Sequence, residues 1–331
     1  MTRDIQGDEP SRRASPAEAL VPTTLPGELK SRKVLASLPD NIPPLPDPLP
    51  RRGGEGTKPE GAEPALGLRQ PRLAELGGDL LRLTRWQQVR AIAWPLAACA
   101  SFWICAAGEQ GIPAVVSLVV LSFVTYGSTS HDLVHRSLGL GRLSNDLLLA
   151  VIELLALRSG HAYQAAHLHH HARFPHDDDL EAGAARMSLP RALAEGFVFQ
   201  VRIYVWALRH PHGKKSWIIA EGIAAAACVS AAIAATPWTI IPAAYVGLMI
   251  AGSWIIPLVT SYLPHDAGAA DALHQTRLFR GPLARLLAFD HLYHLEHHLY
   301  PAVPHQNWPR LARRLDPWLK SRGVRPVRIG W

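Results

Sequence analysis

The sequence predicts an all-α integral membrane protein in which four transmembrane helices form two hairpins, accompanied by cytoplasmic and interfacial helices. Three observations predict it. Four apolar stretches of near-spanning length occur as two tight pairs, both pairs lack Lys and Arg throughout, and histidine is concentrated outside them. Whole-chain averages hide this pattern, since the 331 residues carry a formal charge of +7 and are 48% hydrophobic. The segments therefore have to be read separately.

The N-terminal part, residues 1–70, is polar, with Pro43, Pro44, Pro46, Pro48 and Pro50 followed by Gly53 and Gly54. Such a composition cannot bury enough apolar surface to offset chain entropy, so a disordered, Pro-rich cytoplasmic tail is expected. The opening MTRDIQGDEPSRR has no apolar stretch behind its charges and predicts no signal peptide. A membrane domain is expected over residues 71–320, with 321–331 as a C-terminal tail.

Leu73, Leu76, Leu80, Leu83 and Trp86 recur at helical spacing among Arg72, Arg82, Arg85 and Arg90. This predicts an amphipathic helix on an anionic membrane surface, leading into the first span. The spans are expected at about Ala91–Ala107, Ile112–Tyr126, Trp217–Ala235 and Trp238–Leu263. Each is near the ~20 residues that cross ~30 Å of hydrocarbon, the second being short. Gly108 to Gly111 divides the first pair and Thr236-Pro237 the second.

No Lys or Arg occurs between Arg90 and Arg136, or between Lys215 and Arg277. The positive-inside rule then turns both hairpin tips away from the cytoplasm and leaves everything else, termini included, on the cytoplasmic side. The expected location is the cell inner membrane. Leu147–Leu157 is too short to span and contains Glu153, which predicts a buried or interfacial helix. Phe197–Leu208, flanked by Arg191, Arg209 and His210, predicts another interfacial helix.

Cys99, Cys105 and Cys228 all lie in apolar runs without a CxxC pair, which argues against a disulfide framework or thiolate metal site. The arginines are dispersed, with no alternating aromatics, so the basic excess points to the membrane surface rather than to nucleic acid.

All 17 histidines fall outside the expected spans. Most gather in three clusters: His131-Asp132-Leu133-Val134-His135, His167-Leu168-His169-His170-His171 and His291-Leu292-Tyr293-His294-Leu295-Glu296-His297-His298. On a helix, His131 and His135 share a face. In the other clusters positions i and i+3 are expected to share a face, with the adjacent histidine reaching aside. A lone HxxxH is weak evidence, and a His-rich tract alone can be adventitious. Three clusters delivered to one membrane face by two hairpins free of positive charge point instead to metal. Neutral imidazole suits iron, zinc, copper or nickel, and spacing does not choose between them.

HDxxH, then HxxHH about thirty residues later, then HxxHH after a second hairpin resembles the three-box pattern of the membrane fatty acid desaturase superfamily. The resemblance covers roughly residues 90–315. It implies a non-haem di-iron site with nine imidazole ligands: His131 and His135; His167, His170 and His171; His265, from Tyr262-Leu-Pro-His265; and His294, His297 and His298. His169 and His291 are extra to the pattern. Asp132, Asp290, Glu296 and one of Asp177, Asp178 and Asp179 are candidates to accept the second imidazole N–H.

The resemblance also implies an oxidoreductase that uses O₂ to oxidise C–H bonds of a lipid, by desaturation or hydroxylation. No flavin fingerprint and no haem-binding His-Pro-Gly-Gly segment occur, so a separate ferredoxin-like donor is expected to bring electrons. Box three and its sequel through Pro304 favour a lipid acyl chain. Tyr262-Leu-Pro-His265 looks like the corresponding place in carotenoid ring ketolases and hydroxylases, which stand as the alternative. A non-catalytic membrane metal-binding or scaffold protein is the reading from another class, but all nine expected ligands are present and a scaffold has no need of them.

Overall fold

A computed structural model describes residues 69–330, except 211, 212, 270, 285 and 287–289. The expectation for residues 1–70 falls almost wholly outside that range. The described chain is helical apart from two short strands.

The helices are α1 (Leu73–Leu76), α2 (Arg85–Ala107), α3 (Gly111–Val124), α4 (Ser130–Val134), α5 (Arg142–Leu155) and α6 (Gly160–Arg173). They continue as α7 (Leu189–Glu195), α8 (Phe199–Arg209), α9 (Lys215–Ala235), α10 (Ile241–Ser253), α11 (His294–Leu299) and α12 (Trp308–Ser321). The four expected spans are present as helices long and apolar enough to cross a membrane: Gly78–Ala107, Gly111–Val134, Lys215–Ala235 and Ile241–Tyr262.

The single amphipathic helix expected before the first span is instead broken. Gly77, at φ 116°, separates α1 from a 3₁₀ turn over Gly78–Leu81. Leu76 and Leu80 are buried with Leu311, Leu315 and Leu319 of α12 rather than turned to lipid. Periodicity reports an apolar face but not what covers it. Thr84 then starts α2 with a capping box, in which the Gln87 N–H donates to the Thr84 hydroxyl (3.2 Å) and the Thr84 N–H to Gln87 Oε1 (2.9 Å).

The first hairpin packs on the second through Phe102, Leu118 and Leu121 against Tyr245 and Met249. The second span does not stop near Tyr126. It runs on through a π-helical segment, Thr125–Thr129, directly into α4, so His131 rides on the span itself. The fourth span ends in a matching π segment, Leu258–Tyr262, just before His265. Such wide turns re-aim the side chains beyond them and are frequent at functional sites.

Between the hairpins, α5 buries Leu149 and Ile152, with Glu153 sealed in an ion pair with Arg158 (2.7 Å). Helix α8 buries Phe199, Ile203 and Ala207 and turns Val201 outward, as an interfacial helix does. After α12 the C-terminal residues run back, and β2 (Val327–Arg328) pairs parallel with β1 (Phe279–Arg280).

Candidate metal centre

Three short helical pieces and one loop position deliver the nine sequence-predicted imidazoles. Helix α4 and its C-terminus carry His131 and His135, α6 carries three, α11 carries three, and His265 follows the fourth span. The structure brings all nine together in two groups. One comprises His131, His135, His167, His171 and His297, and the other His170, His265, His294 and His298, each with ligand atoms within 4.8 Å of one another.

The division differs from the expected i, i+3 sharing. The i, i+4 pairs His167/His171 and His294/His298 each stay within one group, while His170 and His297 cross to the other. An α-helix turns 400° in four residues but only 300° in three, so i+4 returns closer to the direction of i than to that of its neighbour. Both HxxHH motifs thus serve both groups.

In the second group, Nε2 of His298 lies 3.2 Å from Nε2 of His170, 3.2 Å from that of His265 and 3.1 Å from that of His294. In the first, Nε2 of His171 lies 3.1 Å from that of His167 and 2.7 Å from that of His297. These convergences are not ordinary hydrogen bonds, because several rings have their proton committed elsewhere. His167 Nδ1 faces Glu181 (2.9 Å), His170 Nδ1 faces Asp179 (2.7 Å), and His265 Nδ1 donates to the Ser261 carbonyl (3.0 Å). Each then presents a bare Nε2 lone pair to its group.

Converging lone pairs repel unless a cation lies among them. Metal–imidazole bonds of about 2.0–2.1 Å would set neighbouring ligand nitrogens roughly 3 Å apart, close to the separations seen. Both ring nitrogens of His131 and Nε2 of His135 are also buried without a hydrogen-bond partner. Leaving such atoms unsatisfied is costly. The donor set therefore fits metal ions in both groups.

Burial, reinforced by neighbouring imidazoles, holds His135, His171, His265, His294, His297 and His298 well below the usual histidine pKa. They stay neutral, which is the form that binds metal. His170 differs: burial disfavours its charged form, but the bond and charge of Asp179 outweigh this and raise its pKa.

Of the proposed acidic partners, Asp179 does orient a centre histidine, and its Oδ1 also accepts from the Ala182 N–H (3.2 Å). Asp178 instead pairs with Arg173 on the surface (2.9 Å). Asp132 is turned to His305 (2.6 Å), and Glu296 to Arg280 (2.5 Å). Asp290 precedes His291 at a positive φ of 71°. Sequence reasoning missed Glu181, which follows the Asp177–Asp179 run by two residues and begins the 3₁₀ turn Glu181–Arg186.

Of the two extra histidines, His169 packs on Trp206 (ring centroids 4.9 Å) and joins neither group. His291 is buried outside both groups, its ring 4.8 Å from that of His294.

Four helices long and apolar enough to cross a membrane, with nine buried or half-buried imidazoles gathered in two groups, define a membrane protein with a histidine-rich centre able to bind metal. The profile of the fatty acid desaturase family matches residues 110–328, two thirds of the chain, and the chain belongs to that family. It is thereby placed among membrane oxidoreductases of the desaturase and hydroxylase type. A search of curated proteins finds no match to the chain.

Proposed function

We propose that this chain is an O₂-dependent di-iron oxidoreductase that desaturates, or hydroxylates, the acyl chain of a membrane lipid. The observation that carries the reading is the sorting of nine imidazoles into two adjoining groups. Iron held there would activate O₂ as the oxidant for C–H cleavage, chemistry that side-chain acids and bases lack. The chain's own residues do the rest. Asp179, Glu181 and the Ser261 carbonyl fix three rings with Nε2 inward.

A small crevice between the second and fourth spans is lined by Phe123, Tyr126, Ile256 and Val259, with Ser122, Thr260 and His291 beside them. Desaturation removes two hydrogens from the chain. Reducing O₂ to two waters consumes them together with two electrons and two protons, and a separate ferredoxin-like protein is the proposed electron source.

The test is purification from an iron-replete host, followed by metal analysis and lipid mass spectrometry of cells with and without the chain. Two irons per chain, and acyl lipids lighter by two hydrogens or heavier by one oxygen, are expected. Oxidised carotenoid with unchanged acyl lipids would redirect the substrate assignment. A folded protein that takes up no iron would refute the reading.

A further inference from the structure

Tyr126 belongs to the π-helical segment of the second span and is not among the nine imidazoles, yet it is joined to one of them. Its hydroxyl donates to Oε1 of Glu181 (3.1 Å), and the same carboxylate accepts from His167 Nδ1 (2.9 Å to Oε2, 3.0 Å to Oε1). All three side chains are buried, Tyr126 at 2% exposure, His167 at 2% and Glu181 at 4%.

The Tyr126 ring is held independently of this bond. Tyr163 stacks on it (centroids 4.1 Å, 24°) and donates from its hydroxyl to the Tyr126 carbonyl (3.0 Å). The Arg158 guanidinium lies over the ring at 5.3 Å.

We propose that Tyr126 is a positioning residue for the metal centre, setting through Glu181 how strongly His167 donates to its metal. The inference rests on the metal reading above. A carboxylate that accepts an imidazole N–H raises the basicity of the ring's other nitrogen. A phenol donating to that carboxylate draws off part of its charge and weakens the pull on His167. Removing the phenol hydroxyl leaves the full carboxylate charge on His167, and removing the carboxylate charge does the opposite. The two changes therefore act with opposite sign.

The experiment compares wild type with Tyr126→Phe, Glu181→Gln and Tyr163→Phe, each loaded with cobalt(II) alone and, separately, with iron. Phenylalanine keeps the clamped ring, so Tyr126→Phe should fold and retain metal. Its cobalt ligand-field bands should move to higher energy, and the iron midpoint potential should fall. Glu181→Gln should move both the other way and bind cobalt about 10–100-fold more weakly. Tyr163→Phe should leave spectrum and potential unchanged. The cobalt spectrum does not depend on which metal is resident. If Tyr126→Phe binds cobalt with an unaltered spectrum, or shifts in the direction of Glu181→Gln, the inference is wrong while the metal reading stands. If wild type takes up neither cobalt nor iron, both fall together.

Discussion

Nδ1 of His170 lies 2.7 Å from Oδ2 of Asp179, and both side chains are buried. The carboxylate comes from a turn nine residues beyond the imidazole and fixes which nitrogen His170 turns to its group. Asp179→Asn should preserve the fold but lower cobalt affinity about 10–100-fold. Spectroscopic titration of purified protein measures it, and an unchanged dissociation constant would count against the orienting role.

His265→Ala should weaken metal binding by at least about 10-fold, because it deletes one of only four imidazoles in its group. His274 is the control. It is exposed and bonded to Asp271 (2.8 Å), so His274→Ala should match wild type. Metal content and activity of the two variants side by side decide the matter, and equal mild losses would remove His265 from the centre.

His305 lies outside the nine imidazoles, yet the structure gives it a part in stability. Its ring and its backbone N–H both bind Asp132 (2.6 and 2.9 Å), joining the start of α12 to the first histidine cluster. His305→Ala leaves a buried carboxylate short of one donor, at a cost of about 1–3 kcal/mol. Thermal unfolding in detergent should show the loss. A melting temperature equal to wild type would mean water replaces the ring.

Acid should destabilise the metal-free protein. Six histidines outside the spans have folded-state pKa values well below the unfolded value of about 6.5. The unfolded chain then binds more protons, so the stability these groups contribute is present above pH ~6.5 and is lost as pH falls below it. His170, raised by Asp179, works in the opposite sense but is a single group. Melting temperature measured after chelator treatment should hold nearly level from pH 8 to about pH 7 and fall from there to pH 5.5. A flat profile would show that the imidazoles are hydrated rather than buried.

Reporter tags at Glu109 and at Thr236 should both lie on the non-cytoplasmic side, and tags at Arg186 and the C-terminus on the cytoplasmic side. Tips reported on opposite faces would be incompatible with nine imidazoles meeting at one place.

The sequence by itself determined the four spans and their pairing as hairpins, properties that are local: hydropathy over some twenty residues and absence of positive charge. Histidine spacing marked the three clusters, and the family resemblance named the nine imidazoles, His265 among them, that the structure brings together. Only the tertiary structure decided how the imidazoles divide. His170 joins His265, His294 and His298 because three separate elements converge there, and no one-dimensional spacing records that. It alone also decided that Leu76 and Leu80 meet α12 rather than lipid, and that Asp132 serves His305. It placed Glu181 between Tyr126 and His167 as well. An apolar stripe or a carboxylate can be recognised in a sequence, but its partner comes from elsewhere in the chain, and packing chooses among partners that sequence leaves equivalent.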